Sequence, residues 1–281
     1  MAWQRSPDRA PITARAALKH ALIDTPFYPL AKRVYRHTLQ RRYLEARTRL
    51  MTFYGQLVGR GQLVFDVGAN HGDFADAFLQ LGARVVAVEP HPECARELRS
   101  LYGGNRCFTL SACALGSQVG EAPLFLGEHG MDNVSTLSED YRREAGKLPG
   151  LAVAGWNRSV MVKVDTLDRL IATHGVPDFC KIDVEGYEIE VLRGLSAPLP
   201  LLQFEYQPWS TEQAIACVDR LMSLGEHRFN LTASTERDEA VALQPEWLDA
   251  DRIKALLRGP VARERRVGDV FVRHGRTRPG S

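Results

Sequence analysis

A chain of 281 residues with 44% hydrophobic and 25% charged residues has the composition of an ordinary soluble protein, long enough to bury one large α/β domain with an added subdomain. It holds no run of about 18 apolar residues, which excludes a conventional membrane-spanning helix. The N-terminus shows no signal-peptide pattern, and five scattered cysteines form no C-x-x-C pair, so reduced thiols in a cytoplasmic setting are expected and a zinc knuckle is not.

Charge is unevenly placed. Residues 1–60 hold 12 Lys/Arg against 3 Asp/Glu, while the rest of the chain holds 24 against 31. Such polarity marks either a solvated helical face or a surface for an anionic partner. Residues 1–15 read as a loose lead, followed by helices near 16–23 and 30–54 separated by Pro26 and Pro29. This basic helical extension, 1–60, suits a cap on an active site, a contact in a homo-oligomer, or peripheral contact with a lipid surface. A main domain, 61–281, follows.

Residues 63–72, LVFDVGANHG, organise that domain. Leu63-Val64-Phe65 suits a buried parallel strand, Asp66 follows, and a turn holds Gly68, Ala69, Asn70, His71 and Gly72. Phe74, Ala77, Phe78 and Leu81 then recur at helical spacing. Glycines in such a turn let a ligand lie against the backbone, and amides at the helix start face an anionic group. A nucleoside-containing cofactor is therefore expected, although the spacing is not the G-x-G-x-x-G of dinucleotide binders.

The second strand, 84–89, ends in Glu89, about 20 residues beyond the turn, where an acid accepts from both ribose hydroxyls. Pro90 and Pro92 open the next helix, with His91 at the adenosine rim. A third strand is expected at 108–113. An insertion, about 117–176, contains two strands (122–126 and 159–164), a segment Asn133-Val134-Ser135-Thr136-Leu137 placed at substrate recognition, and a polar stretch at 139–156. Asp168 reads as a helix-start carboxylate. Residues 179–182 form a short strand with Asp183 at its end, and 201–204 another ending in Glu205. Glu185 reads equally as a cap of the following helix. Trp209 suits a sugar-stacking platform or a core edge. A helix at 212–224 and strands at 228–232 and 270–274 complete the chain, the last strand antiparallel. Ligands of open parallel sheets sit beyond the carboxyl ends of strands, so Asp66, Glu89, Asp183 and Glu205 point to one shared site.

Asp66-x-Gly68-x-x-x-Gly72 resembles motif I of the S-adenosylmethionine (SAM) methyltransferases. DVGANHG, AVEP, KIDVEGYE and the Glu205 strand together resemble the FkbM-type branch over about 63–224. The resemblance implies a Rossmann-like α/β fold: a mostly parallel seven-stranded sheet with helices on both faces, plus the N-terminal extension and the β-containing insertion. It implies SAM bound by Asp66, Gly68, Ala69, Asn70, Gly72, Glu89, Pro90, Ala112, Cys113 and Asp183, with Ala112 standing where the family carries an Asn near the adenine. It further implies O-methylation of a hydroxyl on a sugar, a glycan or a secondary metabolite. Asp183, Glu205 and His71 are then the candidate bases, and Asp183 with Glu205 the candidate ligands of Mg²⁺. Alternatives are an NAD-binding oxidoreductase and a non-catalytic adaptor that uses the basic region. Nucleic acid is not expected, because no Asn-Pro-Pro-Tyr-type motif follows the Phe179 strand.

Overall fold

Strand β1 (Leu63–Val67) is buried along its whole length and is an inner strand, third in a seven-stranded sheet. The structure is a computed structural model that describes residues 22–25, 27–39, 41–127, 131–148, 151–152, 155–233, 243–259 and 267–275. The other strands are β2 (Arg84–Val88), β3 (Phe108–Ser111), β4 (Ala114–Leu115), β5 (Gly120–Leu126), β6 (Arg158–Asp165), β7 (Phe179–Ile182), β8 (Leu201–Tyr206), β9 (His227–Ala233) and β10 (Gly268–His274). The main sheet runs β3-β2-β1-β7-β8-β10-β9. The first five strands are parallel, and β10 is antiparallel to both its neighbours, as expected for the last strand. Asp66 lies in register with Ala87 and Lys181, so the ends of β1, β2 and β7 open at one level.

The helices are α1 (Tyr28–Leu39), α2 (Arg41–Tyr54), α3 (Asp73–Gln80), α4 (Pro92–Tyr102), α5 (Glu139–Ala145), α6 (Leu167–His174), α7 (Glu188–Arg193), α8 (Thr211–Leu224) and α9 (Ala250–Arg258). Side chains alternate across a strand, and the core divides accordingly. Phe65, Val67, Val86, Ile182 and Phe204 pack with α6, α7, α8 and α9 on one face. Val64, Val85, Ala87, Phe179 and Phe271 pack with α2, α3 and α4 on the other. This is the Rossmann-like methyltransferase fold. Among the described residues, no helix is long and apolar enough to cross a membrane.

Helix α2 belongs to this core although it lies in the basic extension. Tyr54 is fully buried, with its ring 5.1 Å from Phe78 and 5.8 Å from Phe179. Its hydroxyl donates to Gln203 Oε1 at 2.7 Å, and Gln203 Nε2 donates to Asp269 Oδ1 at 2.7 Å. A buried polar chain therefore joins α2 to β8 and β10.

One local expectation changes, in the insertion. Residues 28–39 and 41–54 are helical (α1 and α2) where a helix near 30–54 was expected, and residue 40 lies outside the described residues. The helix expected at 16–23 lies, but for its last two residues, outside the described residues, as does the N-terminal lead. The polar stretch 139–156 contains α5, capped by Ser138 Oγ, which accepts from the Tyr141 amide. Tyr141 and Ala145 share one helical face and pack with Val134 and Trp156, an apolar side too sparse to stand out among charges. The strands expected at 122–126 and 159–164 do pair antiparallel as β5 and β6, and β4 adds a parallel third strand.

Candidate active site

The turn after β1 is shaped by backbone that only special residues adopt. Gly68 and Gly72 have φ of 86° and 84°, and Asn70 takes the left-handed region at 47°. A Cβ on Gly68 would lie 1.7 Å from the Asp183 carbonyl oxygen, and one on Gly72 would lie 2.6 Å from Leu98 Cδ2. These glycines thus let the turn close onto β7 and α4, rather than chiefly clearing space for a ligand. The amides of Gly68, Ala69, Asn70 and Gly72, which precede the helix start, are engaged within the fold. Those of Gly68 and Ala69 donate to Val88 O, that of Gly72 to Ala69 O, and that of Asn70 to Glu89 Oε2 at 2.6 Å.

Glu89, directly after β2, is a buried carboxylate whose other oxygen accepts from the His91 amide at 2.7 Å. Burial raises its pKa to about 7, against the lowering effect of the His91 and Asn70 amides. His91 itself is buried and caps α4, accepting from the Glu93 amide. Asp66 is fully buried, and among the described residues its carboxylate oxygens have no regular hydrogen-bond partner, although the Ala75 amide favours its charged form. Burial pushes it up to about 6, partly offset by the charge of Lys181.

The strand ends open into a cleft with two halves. The smaller is lined by Glu89, Pro90, Cys113, Leu115, Leu124 and Leu137. The larger, ≈ 310 Å³, is walled by Arg47, Arg49, His71, Asp73, Phe74 and Lys181. Gly68, Asn70, Asn133, Asp183 and Glu185 line both. Cys113 reaches the cleft, whereas Ala112 is exposed beside it. Asn133, Ser135 and Leu137 bring the insertion to the same cleft.

Asp183, Glu185 and Glu205 come together. Each offers a carboxylate oxygen, and these oxygens lie within 4.8 Å of one another. Lys181 Nζ is 2.7 Å from Asp183 Oδ2 and sits 4.0 Å over the Phe74 ring. Gln207 donates to Glu205 Oε2 at 2.8 Å. Glu185 has φ of 55° and does not cap the following helix. Glu188, the first residue of that helix, braces the loop before it, accepting from the Val184 and Gly186 amides. From the insertion, Thr136 Oγ1 donates to Glu185 O at 2.7 Å, and a Cβ on Gly186 would press into Tyr141. Burial first, and then the neighbouring Glu185 charge, raise the Tyr141 hydroxyl above its ordinary value, so it remains a donor.

His71 lines the larger half, with Nδ1 3.0 Å from Glu97 Oε2. Glu97 is fully buried and also accepts from Tyr28 at 2.6 Å and Lys32 at 2.9 Å, both on α1. Asp168 accepts from the Ser196 amide at 2.9 Å, a structural role at the start of α6. Trp209 packs against Tyr141, ring centroids 6.3 Å apart, at the edge of a small core.

Sequence reasoning missed Lys181, Arg47, Arg49, Glu97 and Tyr141. Lys181 stood inside the KIDVEG motif and was readable as an inward-facing charge on a buried strand. The other four lie on helices whose charges read as solvated.

Comparison with known proteins gives the following. A family model described as the methyltransferase FkbM domain matches residues 66–233. No curated protein matches the sequence. Among solved structures, a SAM-dependent O-methyltransferase from Thermotoga maritima is similar at 11% identity and a TM-score of 0.40, covering 82% of this chain and 66% of that one. A precorrin-6y C5,15-methyltransferase from Geobacter metallireducens is similar at 12% identity and a TM-score of 0.38, covering 82% and 87%. The fibrillarin pre-rRNA processing protein of Methanococcus jannaschii is similar at 12% identity and 0.39, covering 78% and 70%. The family match spans well over half of the chain and runs from Asp66 of the glycine turn to the end of β9, so the chain belongs to the FkbM-type SAM-dependent methyltransferases.

Proposed function

We propose that this methyltransferase acts on a hydroxyl of a sugar, a glycan or a hydroxylated secondary metabolite. The observation that carries the reading is the gathering of Asp183, Glu185 and Glu205 at the edge of a cleft already suited to a nucleoside. The smaller half sets apolar Val67, Val88, Leu115, Leu124 and Leu137 beside Glu89, whose oxygens each accept one amide and keep a lone pair for the ribose hydroxyls. SAM, when bound, supplies an electrophilic methyl on a sulfonium.

A hydroxyl acceptor needs its proton removed as the new C–O bond forms. Asp183 lines both halves of the cleft and is held by Lys181, which places it to orient that hydroxyl and take the proton. His71, fixed through Nδ1 by Glu97, lines the larger half and is the second candidate base. An all-oxygen donor set of Asp183, Glu185 and Glu205 also fits a hard divalent cation such as Mg²⁺, which there would relieve carboxylate repulsion and acidify a bound hydroxyl. Phe27, Leu30 and Val34 are exposed on and beside the basic α1, a surface suited to peripheral contact with anionic lipid.

The test has two stages. Calorimetric titration of S-adenosylhomocysteine, with and without Mg²⁺, is expected to show saturable binding by the wild type that Glu89→Ala weakens about tenfold or more. Labelled methyl transfer to a panel of sugars and hydroxylated metabolites is then expected to fall about 100-fold or more in Asp183→Asn. Absence of cofactor binding would sink the whole reading. A product methylated on nitrogen or carbon would sink only the hydroxyl acceptor.

A further inference from the structure

We propose that the N-terminal extension completes the cofactor site, with Arg47, and Arg49 beside it on α2, binding the α-carboxylate of the cofactor's methionine tail. This rests on the SAM reading above and adds residues outside the matched segment 66–233. The cofactor has a neutral adenosine end and a zwitterionic amino-acid end. With the ribose at Glu89, the tail runs past Gly68 and Asp183, which line both halves of the cleft, and enters the larger half.

A carboxylate in that half needs donors, and the obvious ones are engaged. The amides of Gly68, Ala69, Asn70 and Gly72 all donate within the fold. Lys181 is paired with Asp183 at 2.7 Å and lies over Phe74. The arginines of α2 supply what the turn does not. Their helix is anchored, because Leu50 and Tyr54 are buried in the main core, so the guanidinium groups hang from a fixed support.

Arg47 is also loosely satisfied. Its pairing with Asp76 is long, 3.4 Å, and its buried Nε has no acceptor among the described residues. A guanidinium prefers the two-oxygen geometry of a carboxylate, and a small turn of the side chain toward the tail provides it. Glu185 lines the same half and is an acid suited to the tail's ammonium group.

The experiment compares two ligands that differ only at the tail. S-adenosylhomocysteine carries the amino acid, and 5′-methylthioadenosine lacks it. Both are titrated calorimetrically into wild type, Arg47→Gln, Arg49→Gln, the double variant, and Arg60→Gln, a basic-region control outside the cavity. S-adenosylhomocysteine is expected to bind the double variant about tenfold or more weaker, while 5′-methylthioadenosine changes by less than about twofold. Arg60→Gln leaves both unchanged. Retained 5′-methylthioadenosine binding shows that each variant is folded. Equal weakening of both ligands, or unchanged S-adenosylhomocysteine binding in the double variant, overturns the assignment while leaving the SAM reading intact. Failure of both ligands to bind wild type overturns that reading, and this one with it.

Discussion

Asp66, Glu89 and Glu188 are carboxylates with almost no exposure, and burial raises their pKa values to about 6, about 7 and about 7. The folded state therefore holds protons that the unfolded state has released. Stability from these groups is full below about pH 4 and is lost as pH rises through their folded values. His227, lowered by burial, works in the opposite direction. For Asp66 alone the loss amounts to about 3 kcal/mol by pH 8. Asp66→Asn is expected to flatten the fall in urea-unfolding free energy between pH 5 and pH 8 by about half of that amount, the other half being lost below pH 5. Parallel profiles in the two proteins would show that Asp66 does not carry the slope. The motif that gave away Asp66 and Glu89 in the sequence said nothing of their burial, because burial depends on how the turn closes against β7.

At the scale of elements, the most legible parts were those with local signals. The strand–turn–helix at 63–80 announced itself through an apolar run, two glycines and a helical period, and the ends of β7 and β8 through an acid after an apolar strand. Helix α2 was legible as a helix but not as core. Its sequence is crowded with arginine, and the residues that bury it, Leu50, Phe53 and Tyr54, meet partners more than twenty residues away in the chain. Gln203 and Asp269 were equally silent, since only the paired strands bring them beside Tyr54. Tyr54→Phe leaves the Gln203 oxygen buried without its donor. It is expected to cost about 1–3 kcal/mol of stability and to lower the thermal midpoint by several degrees. Retention of the wild-type midpoint would mean that the chain from α2 to β10 contributes nothing as a chain. Tyr28 and Lys32 tie α1 to Glu97 in the same way, so the extension is joined to the domain through α1 as well as α2.

Across the whole molecule, the uneven charge and the position of the extension act together. The basic segment lines the larger cavity through α2, while Phe27 beside α1 and Leu30 and Val34 on it are 71%, 63% and 52% exposed. Their spacing keeps them on one side of a helix, and cationic side chains are plentiful in the same segment. Contact with an anionic bilayer would bury the apolar side chains and draw in the charges, each worth about 1 kcal/mol near the surface. Sedimentation with vesicles that contain anionic lipid is expected to carry the protein down at low salt and to release it as salt screens the attraction. Replacing Phe27, Leu30 and Val34 together with Ser should abolish this without changing S-adenosylhomocysteine affinity in solution, because none of the three lines the cleft. Helix α1 also holds Tyr28 and Lys32 against Glu97, the carboxylate that fixes His71. A surface that steadies α1 should therefore tighten the site behind it, and coupling is reciprocal. S-adenosylhomocysteine would then bind more tightly with anionic vesicles present, and the vesicles would hold more of the liganded protein. Equal affinity with and without vesicles would separate the outer face of α1 from the site, even if the protein sediments.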